Sequence, residues 1–272
     1  MANEDFFEPP GEIEGREPDA REGEARAALE GFFGRHKESV FFSRQLEIRN
    51  EGDWYHWITN RALRELAGRG LVRTEIRQLQ TGGSIHLMWH RSYRYHRRDA
   101  TGVVRLVEEY SDPNIGGSLG LQGEAMVLEG FARSQFVMRG RDARGYGGRE
   151  WTQSDHDLDF IFERDGRVYG IEVKNTLRYI DYGEFRTKIE MCKALGITPV
   201  FAVRMLPKSW IHELILEGGF ALILKYQLYP WAHRDLARRV RTELELPVDA
   251  PRALEDGTMA RFLRWHEGRG RV

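Results

Sequence analysis

Cysteine is almost missing from this chain. Cys192 is the one thiol in 272 residues, which excludes an internal disulfide and a cysteine-based zinc site. No apolar run approaches the ~20 residues that a helix needs to cross a bilayer. The opening residues Met-Ala-Asn-Glu-Asp are acidic and lack the basic-then-apolar order of a secretory signal. A cytoplasmic protein with no membrane partner is therefore expected. Internal repeats are absent, and so is a Gly-x-x-x-x-Gly-Lys-Ser/Thr loop for cradling phosphates, so nucleotide hydrolysis is not expected. Lysine is scarce too, with 6 residues against 35 arginines.

What is present fits a folded, water-facing protein: 41% hydrophobic and 31% charged residues, enough chain for one large domain or two ordinary ones. The formal net charge of −1 hides a strong asymmetry. Residues 1–30 carry ten Asp and Glu against three Arg, whereas residues 61–98 carry nine Arg against two acids. Such a basic stretch is the electrostatic footprint of a polyanion partner.

Residues 1–20 are acidic, contain Pro9, Pro10, Gly11 and Gly15, and read as a flexible tail. Residues 21–100 read as a small α+β domain. A helix is expected over 22–36, a strand from Val40 that turns helical near the N-cap Ser43, and a helix capped by Thr59 or Asn60 with Ala62, Leu63 and Leu66 inward. Strands over Leu71–Gln78 and Ser84–Trp89 follow, joined across Thr81-Gly-Gly. Helix, helix and hairpin in this order resemble a winged helix. That resemblance implies that the helix from about residue 59 enters a DNA groove, with Arg61, Arg64 and Arg69 outward. Beyond the hairpin, His90-Arg-Ser-Tyr-Arg-Tyr-His-Arg-Arg98 interleaves Arg91, Arg94, Arg97 and Arg98 with Tyr93 and Tyr95, a composition suited to phosphates and stacking.

Residues 101–115 read as a connector with a short helical run, Val103 to Tyr110, and residues 116–272 as the second domain. Its first helix is expected to turn Ala125, Leu128 and Ala132 inward, ahead of a strand at Phe136–Met138 and a glycine- and arginine-rich loop over 139–151. The centre of this domain is Asp157 to Lys174. Phe160-Ile-Phe, the turn dipeptide Asp165-Gly166 and the apolar run Val168–Val173 spell a β-hairpin. Alternation places Asp157 with Asp159 and Glu172 with Lys174, so folding at the turn crowds three carboxylates and an ammonium at one edge. Carboxylates on a stiff sheet suit Mg²⁺, or Mn²⁺.

An Asp on one strand, Glu-x-Lys on the next and a Glu on a preceding helix resemble the PD-(D/E)xK nuclease superfamily. Asp159, Glu172 and Lys174 match the motif; the proline that usually precedes the aspartate is replaced by Leu158. The resemblance implies an α/β fold with a restriction-endonuclease-like mixed sheet flanked by helices. It implies Glu124, rather than Glu129, as the helix carboxylate and a third metal ligand, with help from the Val173 carbonyl. Lys188, on a helix expected over 182–195, would be an auxiliary phosphate contact. Strand 199–204, helix 209–217, strand 220–226 and helices near 231–244 and 256–267 complete the domain.

The expected protein is a metal-dependent endonuclease acting on double-stranded or branched DNA, in restriction and defence or in repair and junction resolution, and compatible with a homodimer. The competing reading is a non-catalytic DNA-binding protein whose nuclease-like domain is a dimerisation scaffold.

Overall fold

The computed structural model describes residues 20–268, so the tail expected over 1–20 lies outside the described residues, apart from Ala20. The chain divides into two compact units. One is built on residues up to 116 together with 238–246, the other on 117–237 together with the residues from 247 onward.

The first unit runs α1 (Ala20–Arg35), β1 (Val40–Phe42), α2 (Ser43–Arg49), α3 (His56–Gly68), β2 (Val72–Gln78), β3 (Ser84–His90) and α4 (His96–Tyr110). Its three strands form an antiparallel sheet in the order β1-β3-β2, with Trp89 opposite both Val40 and Arg73. In α3, Ile58, Ala62, Leu63 and Leu66 fall on one helical face, and that face closes a core with Ala25, Leu29, Phe33, Phe41, Leu46 and Met88. Burying each large side chain there contributes about 1.5–3 kcal/mol.

Local capping differs from the expectation. The residue flanking α2 is Phe42, whose N–H donates to the Gln45 side chain at 3.2 Å, while Ser43 Oγ donates instead to the His86 carbonyl. Helix α3 starts three residues before Thr59, with Tyr55 flanking it. Thr59 is fully buried, and Asn60 Nδ2 donates to Glu47 Oε1 at 2.9 Å, so neither polar side chain serves the helix end. Beyond β3 the chain turns, and Arg97 and Arg98 open a fifteen-residue helix that replaces the shorter run expected over 103–110. The 101–115 connector is thus mostly helical. Asp99 in the first turn favours that start, because it complements the positive end of the helix dipole.

The second unit opens with α5 (Pro113–Arg133), β4 (Val137–Ala143), the small hairpin β5 (Gly145–Tyr146) and β6 (Arg149–Glu150), then β7 (Leu158–Arg164) and β8 (Arg167–Lys174). It continues through α6 (Tyr182–Leu195), β9 (Thr198–Val203), α7 (Lys208–Leu216), β10 (Phe220–Ile223) and β11 (Gln227–Leu228). A 3-10 turn (Trp231–His233), α8 (Arg234–Glu243), β12 (Val248–Asp249) and α9 (Asp256–Gly268) finish the described chain. The architecture is mixed α/β. A five-stranded sheet has the order β10-β9-β8-β7-β4, antiparallel from β4 to β8 and parallel from β8 to β10.

Strand β8 lies at the middle of this sheet, and its near-continuous apolar run reflects burial on both sides. On one face Tyr169, Ile171 and Val173 join Phe160, Phe162, Val127, Phe131 and Phe262. On the other, α6 and α7 bring Met191, Cys192, Phe185, Ile189 and Leu214 over Leu158, Ile161, Phe201 and Val203. Helix α5 does not use the face its alanines suggested. Ala125 and Ala132 are exposed and Leu128 is only partly buried, while Leu119, Gly123, Met126, Val127, Gly130 and Phe131 turn inward. Two glycines on the buried side let the helix approach closely: a Cβ at Gly123 would sit 2.5 Å from Asn175 Cβ. The 139–151 segment, expected as a loop, is strand and hairpin. As an edge strand, β4 exposes most of its side chains, so it carries no apolar alternation to read.

Candidate active site

The hairpin of β7 and β8 turns through two residues. Asp165 and Gly166 have φ of 53° and 71°, the left-handed pair that a primed turn requires and that an Asp-Gly dipeptide tolerates. Arg164 faces Arg167 and Phe160 faces Ile171 across the ladder. Next to that last pair, the Val173 N–H donates to Asp159 Oδ2 at 2.5 Å, which ties the aspartate of one strand to the Glu-x-Lys segment of the other.

Glu172 is the deepest charge of the cluster, 2% exposed. Its Oε1 lies 3.1 Å from Lys174 Nζ and its Oε2 lies 2.5 Å from Lys188 Nζ. A buried carboxylate needs such company, because removing it from water without partners costs several kcal/mol. Lys174 makes a second ion pair with Glu184 Oε1 at 2.9 Å. Burial works against its ammonium form, but Glu172 and Glu184 outweigh it and hold the lysine more firmly protonated than usual. The half-buried Asp159 is pushed up to about 7, first by burial and then by the Glu172 charge. The Val173 N–H, Lys188 and Lys174 pull it the other way.

Helix α6 places two of these groups. Asp181 caps it, accepting from the Glu184 N–H at 3.0 Å, and Gly196 ends it in a left-handed conformation. The helix covers β8 and β9, so Glu184 in its first turn reaches Lys174 and Lys188 reaches Glu172. Lys188, expected as a DNA-phosphate contact, is instead 4% exposed, and it also donates to the Asp157 carbonyl. The Asp157 carboxylate stands farther off, 3.9 Å from the same ammonium.

Among the described residues no hydrogen bond or ion pair brings Glu124 into this cluster: its carboxylate is held by Arg141 on β4 at 3.0 Å, and Glu129 pairs with Arg133 at 2.9 Å. The backbone beside Glu124 is nonetheless close, since Gly123 abuts Asn175, the residue after Lys174. Asn175 Nδ2 donates to the Leu119 and Leu228 carbonyls, and its Oδ1 accepts from the Leu228 N–H, each at 2.7 Å. One amide thereby fixes α5 and β11 against the end of β8. Glu184 and Asn175 were missed from the sequence. The Asp181-x-x-Glu184 spacing marks a helix start, but nothing in it reveals the partner Lys174.

Among the described residues, no three His, Cys, Asp or Glu side chains form a ready metal cage. Two carboxylates drawn together at the price of a raised Asp159 nevertheless fit a hard divalent ion, which accepts one or two carboxylates and keeps waters elsewhere.

The basic residues of the first unit fall into two groups. Arg61 pairs with Glu22 at 2.9 Å and lies over the Trp57 ring, Arg69 pairs with Glu65, and Arg64 is exposed. Arg91, Arg94, Arg97 and Arg98 are all exposed, and among the described residues none forms an ion pair. No family model, curated protein or solved structure matches this chain.

Proposed function

We propose that this protein is a Mg²⁺- or Mn²⁺-dependent deoxyribonuclease of the PD-(D/E)xK type, with a winged-helix-like first unit that holds DNA. The observation that carries the reading is the meeting of Asp159, Glu172 and Lys174 on paired strands, joined by the Val173-to-Asp159 hydrogen bond. An isolated Glu-x-Lys on a solvated strand has no reason to be buried, whereas this glutamate is enclosed by two ammonium groups.

Asp159 and Glu172 would hold the metal, whose chemistry is to polarise a phosphoryl oxygen and acidify a bound water. Lys174 Nζ, poised between Glu172 and Glu184, supplies positive charge where the attacked phosphate gains negative charge, and it orients the incoming water. Lys188 Nζ pairs with Glu172 Oε2 and holds that carboxylate in place. No covalent intermediate is required, which agrees with Cys192 being buried in the core with its thiol pushed up by burial. In the first unit, Arg91, Arg94, Arg97 and Arg98 form the DNA-facing charge.

The test is cleavage of supercoiled plasmid with and without Mg²⁺. Metal-dependent nicking that Asp159→Ala and Glu172→Ala abolish, with DNA affinity retained, supports the reading. Robust DNA binding without any cleavage would favour the scaffold alternative.

A further inference from the structure

Four exposed arginines of the second unit are ion-paired: Arg133 with Glu129, Arg139 with Glu163, Arg141 with Glu124 and Arg144 with Asp155. Arg149, Arg261 and Arg264 carry no such partner among the described residues, and Arg234 and Arg252 belong with them. Both are exposed, and among the described residues neither forms an ion pair. They gather around one indole, the Arg252 guanidinium 4.6 Å and the Arg234 guanidinium 5.2 Å from the centroid of Trp231. That ring is itself 47% exposed.

An exposed tryptophan between two unneutralised guanidiniums has a definite chemistry. Stacking on the ring removes side-chain freedom from the arginines before any ligand arrives, and a planar fork held this way is matched to phosphate oxygens. Two charges fixed on one ring suit a ligand with repeated anionic groups.

The patch is also tethered. Trp231 follows Leu228 by three residues, so its Cα is within about 11 Å of that of Leu228 along the chain. Leu228 is hydrogen-bonded through both its N–H and its carbonyl to Asn175, the neighbour of Lys174. The chain thus limits how far Trp231 can lie from Leu228, which is anchored to Asn175, the residue after β8.

We propose that Trp231, Arg234 and Arg252 form a clamp for the phosphodiester backbone of a nucleic-acid strand. This extends the nuclease reading by giving the second unit its own nucleic-acid contact, and the binding part can be tested apart from cleavage.

The experiment uses the full chain in EDTA with fluorescently labelled 12-nucleotide DNA, single-stranded and duplex, read by polarisation at several salt concentrations. Arg234→Gln with Arg252→Gln weakens binding about tenfold near 0.1 M salt and lowers the salt slope by roughly two, the signature of two lost phosphate contacts. Trp231→Ala weakens it in the same direction, while Trp231→Phe, which keeps a flat ring, stays near wild type. Circular dichroism melts confirm that the variants are folded. Wild-type affinity and slope in the arginine variant overturn the clamp, as does a wild-type chain that binds neither DNA. Equal displacement by polyglutamate assigns the patch to an acidic protein partner, and displacement by millimolar inorganic phosphate to a free-anion site; either overturns it. Plasmid nicking with Mg²⁺ separates the two ideas. Weakened binding by the arginine variant with no nicking by wild type leaves the clamp standing and removes the nuclease reading. Nicking by wild type with unaltered binding by the variant does the reverse.

Discussion

Lys188 Nζ stands 2.5 Å from Glu172 Oε2, and the two side chains are only 5% and 2% exposed. A pair this deep contributes little net stability while intact, but breaking it leaves the buried Glu172 carboxylate with only the part-exposed Lys174 as an ammonium partner. Lys188→Met is expected to destabilise the second unit by about 3 kcal/mol, because Lys174 then offsets only part of the Glu172 charge. Adding Glu172→Met should recover most of the loss. Urea denaturation of the single and double variants checks both statements, and a double variant no better than the single would show that the pair itself is stabilising.

Lys174 makes the opposite prediction. It is one-third exposed and shares Glu172 with Lys188, so its loss strands no buried charge. Lys174→Met is expected to change stability by less than about 1 kcal/mol. It should slow single-turnover cleavage by about 10²–10³-fold, since the charge beside the reacting phosphate disappears. A near-normal rate with a lowered melting temperature would sink the catalytic role.

The raised Asp159 predicts a pH dependence of stability in the absence of metal. Its folded value is about 7 while the unfolded chain has an ordinary aspartate, so the folded protein holds the extra proton between those values. The contribution is full below pH ~4 and is lost as the pH rises towards 7, amounting to at most about 4 kcal/mol. In EDTA, Asp159→Asn should flatten this decline and be more stable than wild type at pH 8. Parallel stability curves for the two proteins across pH 5–8 would contradict it.

The arginines after β3 should govern how the first unit responds to salt. Arg91, Arg94, Arg97 and Arg98 are exposed and lack ion pairs among the described residues, so replacing all four with Gln should weaken DNA binding and lower the salt slope by up to about four. Arg61, already paired with Glu22, should matter less when replaced alone. Polarisation titrations across 50–200 mM salt read both effects; an unchanged slope in the quadruple variant would mark those arginines as a solvated face.

By itself the sequence determined the hairpin and much of the helix and strand order. Asp165-Gly166 allows one tight turn, apolar alternation fixes the register, and register alone brings Asp159 to Glu172 and Lys174. Helix α6 was legible over its full length, because its cap and its terminal glycine are local signals. What only the tertiary structure decided are the partners distant in sequence. Whether Lys188 faces solvent or Glu172, and whether Glu124 faces a cluster or Arg141, depends on how helices lie on the sheet, which local periodicity does not encode. The inward face of α5 was misread for the same reason. Alanine and leucine spacing pointed one way, but close approach to Asn175 needed Gly123 on the buried side, and the packing of the sheet overrode the hydrophobic pattern.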